Sequence, residues 1–180
     1  MEIVKTKIPG LLIIKPTVFE DTRGYFFESY NKQRFLQHGI DQNFVQDNES
    51  MSQKGVLRGL HFQKPPFEQG KLVRVMKGSV IDVAVDIRKS SPTYGQWDSV
   101  KLTQENKWMY WLPPGMAHGF VALEDNTVFF YKCTNVYNQE SEGSIRWNDT
   151  DLNINWPINE PILTDRDKNA PIFKEFISPF

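Results

Sequence analysis

Three histidines, His38, His61 and His118, are the only imidazoles in the chain, and they bound its acid–base and metal chemistry from the outset. Imidazole titrates near neutral pH, at about 6.5 when unperturbed, so it suits proton transfer; in its neutral form it ligates divalent metals. Two segments concentrate reactive side chains. Gly55-Val56-Leu57-Arg58-Gly59-Leu60-His61-Phe62-Gln63 carries one histidine. Trp111-Leu112-Pro113-Pro114-Gly115-Met116-Ala117-His118-Gly119-Phe120 carries another. The sole cysteine, Cys133, excludes an internal disulfide and any cysteine-cluster zinc site. Its apolar neighbours, Phe129 to Tyr131 and Val136, point to a buried thiol rather than a reactive one.

The elements that must hold these residues read as strands. Eleven glycines and eleven prolines punctuate short apolar runs throughout the 180 residues, which suit one domain, 1–180. The clearest signal is Lys71 to Arg88. Lys71, Val73 and Val75 share one side of a first run. After the turn signal Lys77-Gly78-Ser79, Ile81, Val83, Val85 and Ile87 alternate with Asp82, Ala84, Asp86 and Arg88. Period two with a polar partner face predicts a half-buried strand whose polar face meets solvent or a polar cavity, and the two runs read as a hairpin. Further strands are expected at Leu11–Pro16, Gly24–Tyr30, Phe44–Asn48, Ser99–Leu102, Trp108–Leu112, Gly119–Leu123 and Thr127–Thr134. A short helix is expected at Asn31–His38, capped by Asn31 and stopped by Gly39, with His38 on the surface and a second helical turn at Thr164–Lys168. Many even strands and few helices predict an all-β barrel or jelly roll enclosing a ligand-sized cavity.

Composition removes several classes. Lys plus Arg is 21 and Asp plus Glu is 22, a net charge of −1, which argues against a nucleic-acid partner held by bulk positive charge. No stretch approaches the roughly 20 apolar residues of a membrane helix, and no targeting segment is legible, so a soluble cytoplasmic protein is the expectation.

The two histidine segments resemble the paired motifs of the cupin jelly roll: Gly, five residues, then His-x-His, and later Pro-x-Gly-x-x-His. In metal-binding cupins these motifs gather three histidines and a glutamate on one ion. Here Gln63 stands in place of the second histidine, and a neutral amide is a poor ligand, so no metal and no cofactor is expected. The resemblance to the dTDP-4-dehydrorhamnose 3,5-epimerase family is more specific. Besides Gly55 to Gln63, it is carried by Asp21-Thr22-Arg23-Gly24-Tyr25-Phe26-Phe27-Glu28, Phe44-Val45-Gln46-Asp47-Asn48 and Lys71-Leu72-Val73-Arg74-Val75. Pro113 to Phe120, Tyr131-Lys132-Cys133-Thr134, Ile145-Arg146-Trp147-Asn148-Asp149 and Leu163-Thr164-Asp165-Arg166-Asp167 follow in the family's order.

That resemblance implies a cupin-like jelly-roll β-barrel with a few short helices. It also implies a cofactor-independent isomerase of rhamnose and polysaccharide biosynthesis. The reaction would invert carbons 3 and 5 of dTDP-4-dehydro-6-deoxy-D-glucose; inversion of one carbon of a related nucleotide 4-ketosugar is the alternative that the shared motifs leave open. Each inversion needs a base, an acid on the opposite face and a group to hold the enolate oxygen. The resemblance assigns His61 as base, Asp167 as its orienting carboxylate with Asp165 as rival, Tyr131 as acid, and Lys71 as enolate stabiliser assisted by His118. It assigns the nucleotide and sugar to Arg23, Phe26, Glu28, Gln46, Asp47, Asn48 and Arg58, with Tyr137 stacking on the base and Glu142 and Arg166 as outer contacts. It further implies a homodimer in which each site borrows residues from the neighbouring chain.

Overall fold

The computed structural model describes residues 1–180. Thirteen strands account for nearly all regular structure: β1 (Glu2–Lys5), β2 (Leu12–Lys15), β3 (Phe19–Asp21), β4 (Gly24–Phe26), β5 (Gln46–Ser52), β6 (Leu57–Gln63), β7 (Lys71–Lys77), β8 (Ser79–Asp86), β9 (Trp97–Thr103), β10 (Met109–Leu112), β11 (Met116–Ala122), β12 (Thr127–Cys133) and β13 (Glu142–Ser144). Two short helices, α1 (Lys32–Leu36) and α2 (Asp165–Lys168), complete the set with two 3-10 turns. One sheet runs β1-β2-β10-β7-β12-β5 and the other β13-β6-β11-β8-β9, while β3 and β4 form a separate hairpin. Every paired strand in these sheets is antiparallel, and the two sheets face each other as the expected jelly roll.

The interior between the sheets is apolar at one end. Val73, Val75, Tyr110 and Phe129 from the first sheet meet Val80, Ala84, Val100 and Phe120 from the second. The outer face of the second sheet is buried as well. Leu60, Val83, Val85 and Ile87 pack beneath Leu152, Trp156, Phe173 and Phe176 of the C-terminal segment. Strand β8 is therefore covered on both faces, and its polar positions look inward: Asp82 is fully buried inside the barrel.

The structure corrects the hairpin reading of Lys71 to Arg88. β7 pairs with β10 and β12, and β8 pairs with β9 and β11, so the two runs belong to different sheets. Gly78, at φ +77°, turns the chain from one sheet into the other. A local turn signal marks where the direction changes, not which neighbour the next strand will find. The helix N-cap falls as read, but the helix ends at Leu36 with Gln37 as its C-cap, two residues short of the expected His38, and Gly39 lies in the turn that follows. The Asn31 side chain accepts from the Arg34 amide at 3.2 Å, and Gly39 takes φ +82°. His38 is exposed.

Strand β6 is missing from the sequence reading because it does not alternate. Between the pairs Arg58↔Phe120 and His61↔His118 the register slips by one, so three steps on β6 match two on β11. This bulge at Gly59–Leu60 turns Arg58 and His61, three residues apart, to the same wall. Gly59 is required there. Its φ is +138°, and a Cβ would lie 2.5 Å from the Gly119 Cα. Gly59→Ala is expected to cost at least about 2 kcal/mol, read as a lowered denaturant midpoint with unchanged m-value.

Candidate active site

The bulge in β6 and the regular pleat of its neighbours bring the chemistry together. β11 places His118 directly opposite His61. On the facing sheet, β7 turns Lys71 inward with Val73, and β12 turns Tyr131 inward with Phe129; β5 contributes Gln46, Asn48 and Ser50. Two lobes result, of about 460 Å³ and about 380 Å³, and His61, Lys71 and Tyr131 line both. Arg58, His118, Arg166 and Asp167 line the inner lobe. Gln46, Asn48, Tyr137 and Glu142 line the outer one.

Each inward histidine has its own carboxylate. His61 Nε2 lies 2.6 Å from Asp167 Oδ1. Asp167 is 2% exposed, in the single turn of α2, whose Thr164 cap accepts from the Asp167 amide. Asp165 sits on the opposite side of that turn, 95% exposed and paired with Lys168, which settles which aspartate meets His61. Burial pushes the Asp167 carboxyl upward, but hydrogen bonds from His61 and Thr164 and the charge of Arg166 outweigh it and hold the group below the usual carboxylate range. The second pair was not foreseen as a pair. His118 Nε2 lies 3.0 Å from both oxygens of the buried Asp82. Burial raises the Asp82 carboxyl, and His118 and Lys71 pull it only part of the way back. The inward phase of β8 was the one sequence signal for Asp82, since 36 residues separate it from His118.

Lys71 and Tyr131 are neighbours without an ionic partner. The Lys71 ammonium lies 5.8 Å from the Tyr131 ring centre, and no ion pair engages it. Burial lowers the Lys71 pKa, with Cys133, Asp82 and Glu142 opposing. Burial also raises the Tyr131 phenol above its ordinary value, so it keeps its proton at neutral pH. Cys133 is buried as expected, behind this pair.

Four of the expected binding residues lie elsewhere in this chain. Asp47 points to the outer face of β5 and pairs with Lys132 at 2.7 Å, the direct consequence of alternation with Gln46 and Asn48. Arg23 and Phe26 sit on the β3–β4 hairpin, the Arg23 side chain 88% exposed and paired only with Asp21. Glu28 pairs with Arg34 of α1. Gln63 is present at the cavity but offers nothing to an ion, since its amide is taken up by backbone groups. No group of three or more His, Cys, Asp or Glu side chains is arranged to hold a metal.

The fold is a cupin-like jelly roll, with an imidazole on one sheet facing a phenol and an ammonium on the other across a shared cavity. The comparisons narrow that class. The family model for dTDP-4-dehydrorhamnose 3,5-epimerase matches residues 5–175. The dTDP-4-dehydrorhamnose 3,5-epimerase of Salmonella typhimurium is 54% identical over 177 residues, 97% of each chain. The crystal structure of the enzyme of that name from Elizabethkingia anophelis superposes with a TM-score of 0.94 at 52% identity, covering 97% of each chain. The RmlC epimerase of Legionella pneumophila, solved with dTDP-4-keto-L-rhamnose, gives 0.94 at 49% identity over 98% of this chain and 94% of that one. The chain belongs to the dTDP-4-dehydrorhamnose 3,5-epimerase family.

Proposed function

We propose that the protein inverts carbons 3 and 5 of dTDP-4-dehydro-6-deoxy-D-glucose to give dTDP-4-dehydro-L-rhamnose, with no cofactor. The observation that carries this reading is the placement of His61 and Tyr131 on facing sheets of one cavity. An inversion takes a proton from one face of a carbon and returns one to the other, so base and acid must stand on opposite walls.

The steps balance without a redox partner. The ring nitrogen of His61 not held by Asp167 takes the proton from a carbon beside the ketone. The Asp167 carboxylate, ionised at neutral pH, stabilises the imidazolium that forms. The electron pair moves onto the ketone oxygen, where Lys71 and His118 hold the developing charge. Tyr131 then protonates the carbon from the opposite wall. His61 and Tyr131 return to their starting states through solvent, and the sequence repeats at the second carbon.

The diphosphate is assigned to Arg58 and Arg166, which bring planar donors to the inner lobe. Local arginines suffice for an anionic substrate on a chain of net charge −1. The base is assigned to the outer lobe, against Tyr137, Gln46 and Asn48. Arg23, Phe26 and Glu28 then serve the site of a second copy in a homodimer. The exposed aromatics Phe19, Tyr25 and Phe26 of the β3–β4 hairpin support that arrangement, because such a patch stays covered in a stable soluble protein. A single buried cysteine suits the reducing cytoplasm, and no helix is long and apolar enough to cross a membrane. Product analysis by proton NMR tests the reaction: sugar inverted at both carbons should appear in equilibrium with the starting sugar, and its complete absence after prolonged incubation, with no solvent exchange at either carbon, would contradict it.

A pH dependence follows from the environment of Lys71. Its charged form stabilises the enolate, and burial makes that form lose its proton at lower pH than an exposed lysine, whose value is about 10.4. The rate is expected to fall as pH rises through this lowered value, ahead of any loss from Tyr131, whose phenol is shifted the other way. In Lys71→Met the remaining rate should be lower throughout and lack this alkaline limb in a kcat–pH profile.

A further inference from the structure

Gln63 replaces a metal ligand of the wider cupin motif, and the reaction above makes no use of it. Its side chain is 5% exposed, and every polar group of the amide meets backbone. Nε2 donates to the Phe67 carbonyl at 2.6 Å and to the Val136 carbonyl at 3.1 Å, while Oε1 accepts from the Asn138 amide at 2.7 Å. The amide therefore bolts the loop after β6 to the turn after β12. Two other amides grip the same turn. Gln46 Oε1 accepts from the Tyr137 backbone at 2.8 Å, and Gln69 Nε2 donates to the Asn135 carbonyl at 2.8 Å.

What this clamp presents is Tyr137. Residues 135–138 belong to no strand, and a free turn would sample many orientations. Held at Asn135, Val136, Tyr137 and Asn138, the turn projects an aromatic ring that is 55% exposed at the outer lobe, its hydroxyl donating to Glu142 at 3.1 Å. A neutral imidazole has one donor and one acceptor, so it cannot match two carbonyls and an N–H together; a primary amide can.

We propose that Gln63 is a positioning residue for the nucleotide: it fixes the 135–138 turn so that the Tyr137 ring is already aimed at the base before the ligand arrives. The proposal rests on the assignment of Tyr137 as the stacking residue. A preset ring lowers the ordering cost of binding and leaves the chemical step alone, so its loss should appear in KM rather than in kcat.

The test is a double-mutant cycle on the full chain with Gln63→Met, Tyr137→Ala and the pair, read as kcat, KM and the Kd for dTDP. Gln63→Met should raise KM and the dTDP Kd together by about tenfold with kcat within about twofold. Tyr137→Ala should raise them at least as much, and the double variant no further than Tyr137→Ala alone, because both remove one interaction. Additive losses, a fall in kcat at constant KM, or no change in Gln63→Met would overturn the proposal. An unchanged KM in Tyr137→Ala would instead remove the stacking assignment beneath it. Should Gln63→Met not fold, Gln63→Glu keeps the acceptor for Asn138 and turns an oxygen on the two carbonyls. The same rise in KM is expected there, and its absence is equally fatal.

Discussion

His61→Ala should leave dTDP binding within about twofold of the parent and reduce both solvent exchange and inversion by roughly 10³-fold or more, the upper part of the range for a positioned general base. The reason is geometric. Among the three histidines, only His61 combines a place in both lobes with a buried carboxylate 2.6 Å behind it. His118 is turned toward Asp82 and His38 lies on the surface, so neither can take over. Because one base serves both carbons, loss at carbon 3 and at carbon 5 must be equal. Exchange persisting at one carbon would mean that a second base acts there.

Tyr131→Phe is expected to separate two events that the parent enzyme couples. Proton removal needs His61, Lys71 and His118, all intact in this variant. Return from the opposite wall needs the phenol, whose raised pKa keeps it protonated at neutral pH. The variant should therefore still exchange protons with solvent, with the enolate receiving its proton back from the His61 side. Inversion should fall by roughly 10²- to 10³-fold. In heavy water the recovered starting sugar should carry deuterium while product accumulates slowly. Equal loss of exchange and inversion would give Tyr131 a different role, most simply in binding.

Much of this site was legible because alternation is a strong signal where it holds. It put Lys71 on the side of Val73 and Val75, and Asp82 on a face opposite Val83, and both prove to look into the barrel. Thr164 before Asp165-Arg166-Asp167 marked the turn that carries the dyad's carboxylate. What escaped was non-local. The bulge at Gly59–Leu60 erases the period of β6, so the strand bearing His61 showed as a motif and not as an element. Sheet exchange at Gly78 is invisible to local pattern, because the partners of β7 and β8 come from β10, β12, β9 and β11. The His118–Asp82 pair depends on β11 lying beside β8. The segment Gln46–Asn48 was read as one unit, yet the pleat turns Asp47 outward to Lys132. Gln63 was read only for what it could not do as a ligand. Its positive role required the positions of Phe67, Val136 and Asn138.

The measurement closest to the central claim is incubation with dTDP-4-dehydro-6-deoxy-D-glucose in heavy water, with the product's mass resolved by carbon position. One base and one acid on facing walls, used in turn at both carbons flanking the ketone, predict two carbon-bound, solvent-derived deuterium atoms in the product, one at carbon 3 and one at carbon 5. A single deuterium would reduce the protein to a one-carbon epimerase, and inverted product without deuterium would contradict proton transfer through His61 and Tyr131 altogether.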